Sequence, residues 1–238
     1  MSTLLLVHAM TLMHESPAAT ERDALPCLCC GNAVARCDYA SVPRLRSILR
    51  FVAMCVVLIG VGFAIAQARA DELPRDSTYH LAVPLTDQDS HAFTFADGRG
   101  RARIVSMFYT SCKYVCPLII DTLLKTERGL TPDERGRLDV LLVSFDPDND
   151  TPDALKRVAD KRHLDTVRWR LARTDKTHVR SLAAMLGIQY KQLEDREFSH
   201  SSALVLLDAD GRIVARSDRL GEADADFVAA AKRVLAAD

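Results

Sequence analysis

Cys112 and Cys116 lie in the segment Phe108-Tyr109-Thr110-Ser111-Cys112-Lys113-Tyr114-Val115-Cys116-Pro117, which joins an apolar run to a helical pattern. In open α/β sheets reactive groups gather beyond the carboxyl ends of strands, where a helix N-terminus supplies N–H groups and partial positive charge. Such a position favours thiolate over thiol. Pro117 suits the first helical position, which puts Cys116 at or beside the cap and Cys112 in the loop before it. Lys113 adds positive charge and is expected to lower the thiol pKa further. Three residues separate the cysteines, one more than in a C-x-x-C redox motif. A disulfide stays open to such a pair. The wider loop also lets both sulfurs turn toward one ion, and soft thiolates suit Cu(I), with an imidazole completing a three-coordinate site.

The imidazole expected to do this is His200, in Glu197-Phe198-Ser199-His200-Ser201-Ser202-Ala203 just before a strand. Thioredoxins place the loop that faces their active cysteines there. Small polar neighbours leave the ring room to approach a ligand. The bland alternative is a surface histidine in a serine-rich turn. His80, His91, His163 and His178 sit in predicted strand, turn or helix-surface positions without a partner motif and are read as surface residues.

These groups need a scaffold, and the apolar periodicities supply one. Alternation over Tyr79 to Leu85 and Phe93 to Phe95, with Asp87-Gln88-Asp89-Ser90 between, predicts an N-terminal β-hairpin. Buried strands are predicted over Arg103 to Tyr109 and Leu138 to Phe145. Leu118, Ile119, Thr122 and Leu123 recur at helical spacing after the cysteines. Thr151 as N-cap and Pro152 at the first helical position open a helix that carries Leu155, Val158 and Ala159 on one face. Then come a strand over Val167 to Leu171 with Trp169 in the core, a helix over Lys176 to Leu186, and strands over Ala203 to Leu207 and Ile213 to Ser217. An Asp210-Gly211 turn joins those two strands, and a last helix runs over Ala223 to Leu235. The order β-β-β-α-β-α-β-α-β-β-α is α/β and thioredoxin-like: a sandwich with a mixed central sheet and an N-terminal β-hairpin.

The flanking sequence indicates where this domain works. Phe51 to Ala66 is an apolar run preceded by Arg44, Arg46 and Arg50 and followed by Ala68-Arg69-Ala70, a small-x-small signal. Residues 44–70 are therefore expected to be a signal peptide, or else an uncleaved signal anchor that tethers the protein to the membrane. Either way the positive-inside rule sends residues 71–238, the thioredoxin-like domain, out of the cytoplasm. Residues 1–43 form a leader expected to lie outside the fold, disordered or untranslated; a GTG codon read as Val42 would then be the true start. Five of the seven cysteines (Cys27, Cys29, Cys30, Cys37 and Cys55) fall before residue 71, and the leader's four lack a histidine partner. One closely spaced pair in the exported part is not a disulfide scaffold. The 31 basic residues against 32 acidic ones give no polyelectrolyte signature, which argues against nucleic acid as a partner.

Three ordered motifs now support a family resemblance. Thr110-x-Cys112-x-x-x-Cys116-Pro117, then Ser144-Phe145-Asp146-Pro147-Asp148-Asn149-Asp150-Thr151-Pro152, then His200-Ser201 before its strand and Asp-x-Asp-Gly turn resemble the Sco family (synthesis of cytochrome c oxidase), also called SenC-like. The likeness runs from about Thr78 to Ala236. It implies a protein facing the periplasm or intermembrane space that binds one copper ion through Cys112, Cys116 and His200. Such proteins help assemble the dinuclear copper centre of the oxidase. The partners implied are the oxidase's copper-bearing subunit and other copper chaperones or thiol reductants. Asp146 matches the family's aspartate near the site and is expected to orient a ligand or tune the metal, whereas Asp150 and Thr151 are read as helix caps. Members commonly have Pro-Asp after the first cysteine, where this chain has Lys113-Tyr114. That departure shifts weight toward thiol chemistry.

Two enzymatic readings compete. A thiol-disulfide oxidoreductase would use Cys112 and Cys116 as its redox pair and has no need of His200. A peroxidase would use Cys112 as the peroxidatic cysteine, but Thr110 is misplaced by one residue for that chemistry.

Overall fold

Every residue of the strand Ala102–Phe108 is buried, so it must be covered on both faces, and it lies in the interior of a seven-stranded sheet. The computed structural model describes residues 49–58, 72–112, 115–194 and 197–237. The chain divides into two units, 1–63 and 64–238. In the first, the described stretch is a helix over 49–58. No helix among the described residues is long and apolar enough to cross a membrane. The leader cysteines and most of residues 44–70 lie outside the described residues, as do Lys113 and Tyr114.

The second unit holds β1 (Pro84–Asp87), β2 (Ala92–Thr94), β3 (Ala102–Phe108), α1 (Val115–Arg128), α2 (Pro132–Arg137), β4 (Leu138–Ser144), α3 (Pro152–Lys161) and β5 (Trp169–Arg173). Then follow α4 (Lys176–Met185), β6 (Tyr190–Gln192), β7 (Phe198–His200), β8 (Leu204–Leu207), β9 (Ile213–Ser217) and α5 (Ala225–Ala237). The large sheet runs β2-β1-β5-β4-β3-β8-β9. β3, β4 and β5 are parallel, and the remaining pairings are antiparallel, so the sheet is mixed as the sequence implied. The parallel core follows from composition, because Val140 to Val143 is an unbroken apolar run that only a strand buried on both faces accommodates.

Helix starts follow the sequence signals. Thr151 accepts a 3.3 Å hydrogen bond from the Ala154 amide and Pro152 opens α3, a cap worth about 1 kcal/mol. The Asp210-Gly211 turn joins β8 and β9. Gly211 has φ of 80°, and a Cβ there would stand 2.5 Å from the Tyr79 ring, so both conformation and packing require glycine.

The elements depart from the sequence expectations at four places. Tyr79 lies in a 3-10 turn, Thr78–His80, and the hairpin strand begins only at Pro84. The third parallel strand starts at Trp169, leaving Val167 88 % exposed in the loop before it. A short helix, α2, precedes β4 and is opened by a capping box of Thr131 and Glu134. A separate two-stranded sheet, β6 with β7, was not foreseen, and His200 is its last residue rather than part of a plain loop.

Candidate metal centre

β3 ends at Phe108, and the chain turns through Tyr109 and Thr110 to Cys112 before α1 begins. The Tyr109 amide donates to Cys116 Sγ at 3.4 Å, and the Cys116 amide donates to Cys112 Sγ at 3.3 Å. Backbone donors thus fix both sulfurs before any metal is considered. Cys116 lies inside the first turn of α1, with Pro117 after it in the helix, not at the first helical position as the motif implied. Proline is tolerated there because the first N–H groups of a helix have no intrahelical acceptor.

The two sulfurs are not joined in this structure. Burial pushes the Cys116 thiol well above the ordinary range, and the Tyr109 amide only partly offsets it. The expectation of a uniformly thiolate-favouring site is therefore corrected for Cys116. At 3 % exposure, desolvation outweighs the helix N-terminus, and the proton must be displaced by something that replaces its charge.

His200 reaches the same place from the far side of the fold. β6 and β7 pair antiparallel with Tyr190 opposite His200 and Gln192 opposite Phe198. Period-two alternation puts Phe198 and His200 on one face of β7. That face packs on the residue just beyond β4: the Phe145 ring lies 5.0 Å from both Tyr190 and His200, and 6.2 Å from Phe198. The Tyr109 ring lies 6.1 Å from His200. The imidazole Nδ1 sits 3.2 Å from the Ser201 carbonyl, which can only accept, so this contact places the ring proton on Nδ1. Nε2 is then left with its lone pair for a ligand. Burial also holds the His200 pKa below the ordinary histidine value, with the Ser201 carbonyl opposing, which keeps the ring neutral.

The ligand atoms of Cys112, Cys116 and His200 all lie within 4.8 Å of one another. Metal bonds of about 2.0–2.3 Å to nitrogen and sulfur place trigonal ligands roughly 3.5–4 Å apart, so small side-chain adjustments close the site. Two soft thiols and one imidazole fit copper. Two clefts meet at Cys112, one of 490 Å³ running past Glu197 and His200 and one of 230 Å³ running past Cys116 and Pro117. Cys112 is thus the accessible sulfur and Cys116 the buried one.

The carboxylate that reaches the cysteine loop is Asp150, not Asp146. Asp150 is 1 % exposed and accepts from the Thr110 amide at 3.1 Å, from the Thr110 hydroxyl at 2.5 Å and from the Ser144 hydroxyl. Burial raises its pKa despite these donors. The Asp146 carboxylate instead accepts from Asn149 Nδ2 at 2.8 Å, within its own loop. Thr151 is the helix cap, as read, while the cap expected of Asp150 is replaced by this inward role. Sequence reasoning also missed Tyr109, whose hydroxyl donates to Glu197 Oε2 at 2.6 Å and receives the Phe198 amide at 3.4 Å. Burial and Glu197 raise the phenol's pKa, so it remains a neutral donor. Among the other histidines, His80 Nε2 contacts the Pro74 carbonyl and His178 pairs with Asp175, both away from the cysteines. Trp169 is core, its indole donating to Glu127 at 3.2 Å.

A mixed α/β domain that presents two thiols at a strand-to-helix turn and brings an imidazole across from a hairpin is a thioredoxin-like fold with a group of residues that could hold a metal. The chain belongs to the SCO1/SenC family, whose profile matches residues 75–236. It is similar to a Stutzerimonas stutzeri protein named for copper binding, at 26 % identity over 154 residues, which is 62 % of this chain and 72 % of the relative. Its fold is that of Bradyrhizobium japonicum ScoI with copper bound, with a TM-score of 0.54 and 23 % identity over 65 % of this chain and 98 % of that one. It is also that of BsSco, a Sco family member described as a cytochrome c oxidase assembly protein with a disulfide switch. That match has a TM-score of 0.58 at 19 % identity over 69 % of this chain and 97 % of the other.

Proposed function

We propose that this chain is an exported metallochaperone that takes one copper ion through Cys112, Cys116 and His200 and passes it to the copper-bearing subunit of cytochrome c oxidase. The observation that carries the reading is the convergence of three ligand atoms, from a strand exit, a helix and a separate hairpin, within 4.8 Å. The copper-bound ScoI and the oxidase-assembly role of BsSco support it by likeness. The arrangement also suggests an order of events. Cys112 faces the clefts and is the sulfur an acceptor cysteine would replace first, while buried Cys116 holds the ion until exchange is complete. His200 offers a neutral nitrogen that needs no deprotonation. Residues 44–70 act as signal peptide or anchor, and residues 71–238 work on the periplasmic side.

The second reading, a thiol-disulfide reductase acting on oxidase cysteines, is favoured by the proximity of the two sulfurs. An anaerobic Cu(I) titration of the reduced protein against a competing chelator separates the two, run beside Cys112→Ser, Cys116→Ser and His200→Ala. One tightly held copper that weakens in all three variants supports the chaperone. Weak binding with ready disulfide cycling supports the reductase.

A further inference from the structure

A cavity of 640 Å³ lies at the amino ends of β3, β4 and β5, away from the cysteines. Register places Arg103 beside Asp139 and Arg170 beside Leu141, so Arg103 and Arg170 flank β4 on one face of the sheet. Arg103 is only 3 % exposed, yet its Nη1 makes a long hydrogen bond of 3.4 Å to the Phe95 carbonyl and its Nε has no partner. Its guanidinium fits beneath Gly98, where a Cβ would fall 2.3 Å from Cζ, so this position is shaped around the charged group. The Arg170 guanidinium stacks over Phe93 at 4.7 Å.

The carboxylates that line the cavity each bond another group, while Asp139 and Asp97 also act on Arg103 through space and favour its charge. Asp139 receives two bonds from Arg101 Nε and a third from its Nη2. Arg168 pairs with Asp165 and Glu127. Asp97 accepts from the amide and hydroxyl of Thr94. Among the described residues, neither Arg103 nor Arg170 has an ion-pair partner. Burying a guanidinium without one is costly, and a planar pair of donors matches the two oxygens of a carboxylate or phosphate. We infer that this cavity binds an oxyanion, carboxylate or phosphate, between Arg103 and Arg170. Its volume exceeds a bare ion and suits a small organic acid or phosphate ester.

The test is a thermal-shift and calorimetric titration of the whole protein with inorganic phosphate and, separately, with citrate, each against chloride at matched ionic strength. A saturable rise in Tm with one of them, lost at least tenfold in affinity in Arg170→Gln, is expected, and which anion responds identifies the chemistry. Arg103→Met repeats the test at the buried position, and Arg170→Gln, the more exposed of the two, keeps it decisive should Arg103→Met fail to fold. Copper affinity is expected to be unchanged in Arg170→Gln. No saturable response to either anion, or an equal response in Arg170→Gln, overturns the inference.

Discussion

The Tyr109 hydroxyl donates a 2.6 Å hydrogen bond to Glu197, tying the turn that leads to Cys112 to the hairpin that carries His200. The two residues are 88 positions apart, so this bond closes the site across the fold. A hydrogen bond to a charged group contributes roughly 1.5–3 kcal/mol when buried and less when partly solvated. Tyr109→Phe is therefore expected to weaken copper binding about tenfold. In a His200→Ala background the same change should add nothing beyond about 0.5 kcal/mol, because both act on one ligand. Additive losses would show that the phenol acts elsewhere.

Copper affinity should climb with pH. Burial raises the Cys116 pKa, so the thiol is protonated at neutral pH and the incoming metal displaces its proton. Each displaced proton contributes about a tenfold gain in affinity per pH unit. His200 adds no slope above its ordinary value of 6.5, since burial depresses its pKa and the ring is already neutral there. Competition titrations from about pH 6.5 to about pH 8.5 check this; a flat affinity would contradict a buried, protonated Cys116.

Asp150 makes an opposite kind of prediction, for stability. Its folded pKa is raised above the ordinary 3.8 by burial, so the folded state binds the proton more readily than the unfolded state. Stability from this group is present at low pH and lost as pH rises from 3.8 through the folded value. Asp150→Asn should remove that slope, so wild type loses ground to the variant as pH rises through this window. Parallel stability curves from urea melts would refute it.

Phe145 supports the hairpin from below, stacked on Tyr190 and against His200. Phe145→Ala is expected to cost about 3–5 kcal/mol in chemical denaturation and to weaken copper binding as His200 loses its backing. A cost under about 1 kcal/mol would mean that the ring is not a foundation for the site.

The parts of this molecule that could be read from sequence are those whose physics is local. β4 is an apolar run, α3 is announced by Thr151-Pro152, and the cysteine segment is marked by its place between strand and helix. The hairpin carrying His200 was harder, because β6 and β7 are three residues each and expose Lys191, Gln192 and Ser199. Its one local trace is the alternation of Phe198 with His200. The segment Asp146-Pro147-Asp148-Asn149-Asp150 holds three carboxylates, and nothing in its spelling says which turns inward. That choice is made by Thr110 and Ser144, contributed by two different strand ends.

β6 and β7 stand apart from the main sheet. Two three-residue strands form a marginal unit, held mainly by aromatic contacts, whereas the cysteines sit on the end of the most buried strand and the helix that follows it. Local opening therefore reaches His200 before it reaches either sulfur. Were copper held as proposed, opening of this hairpin would leave it on the two sulfurs while the rest of the domain stands, before an acceptor displaces Cys112.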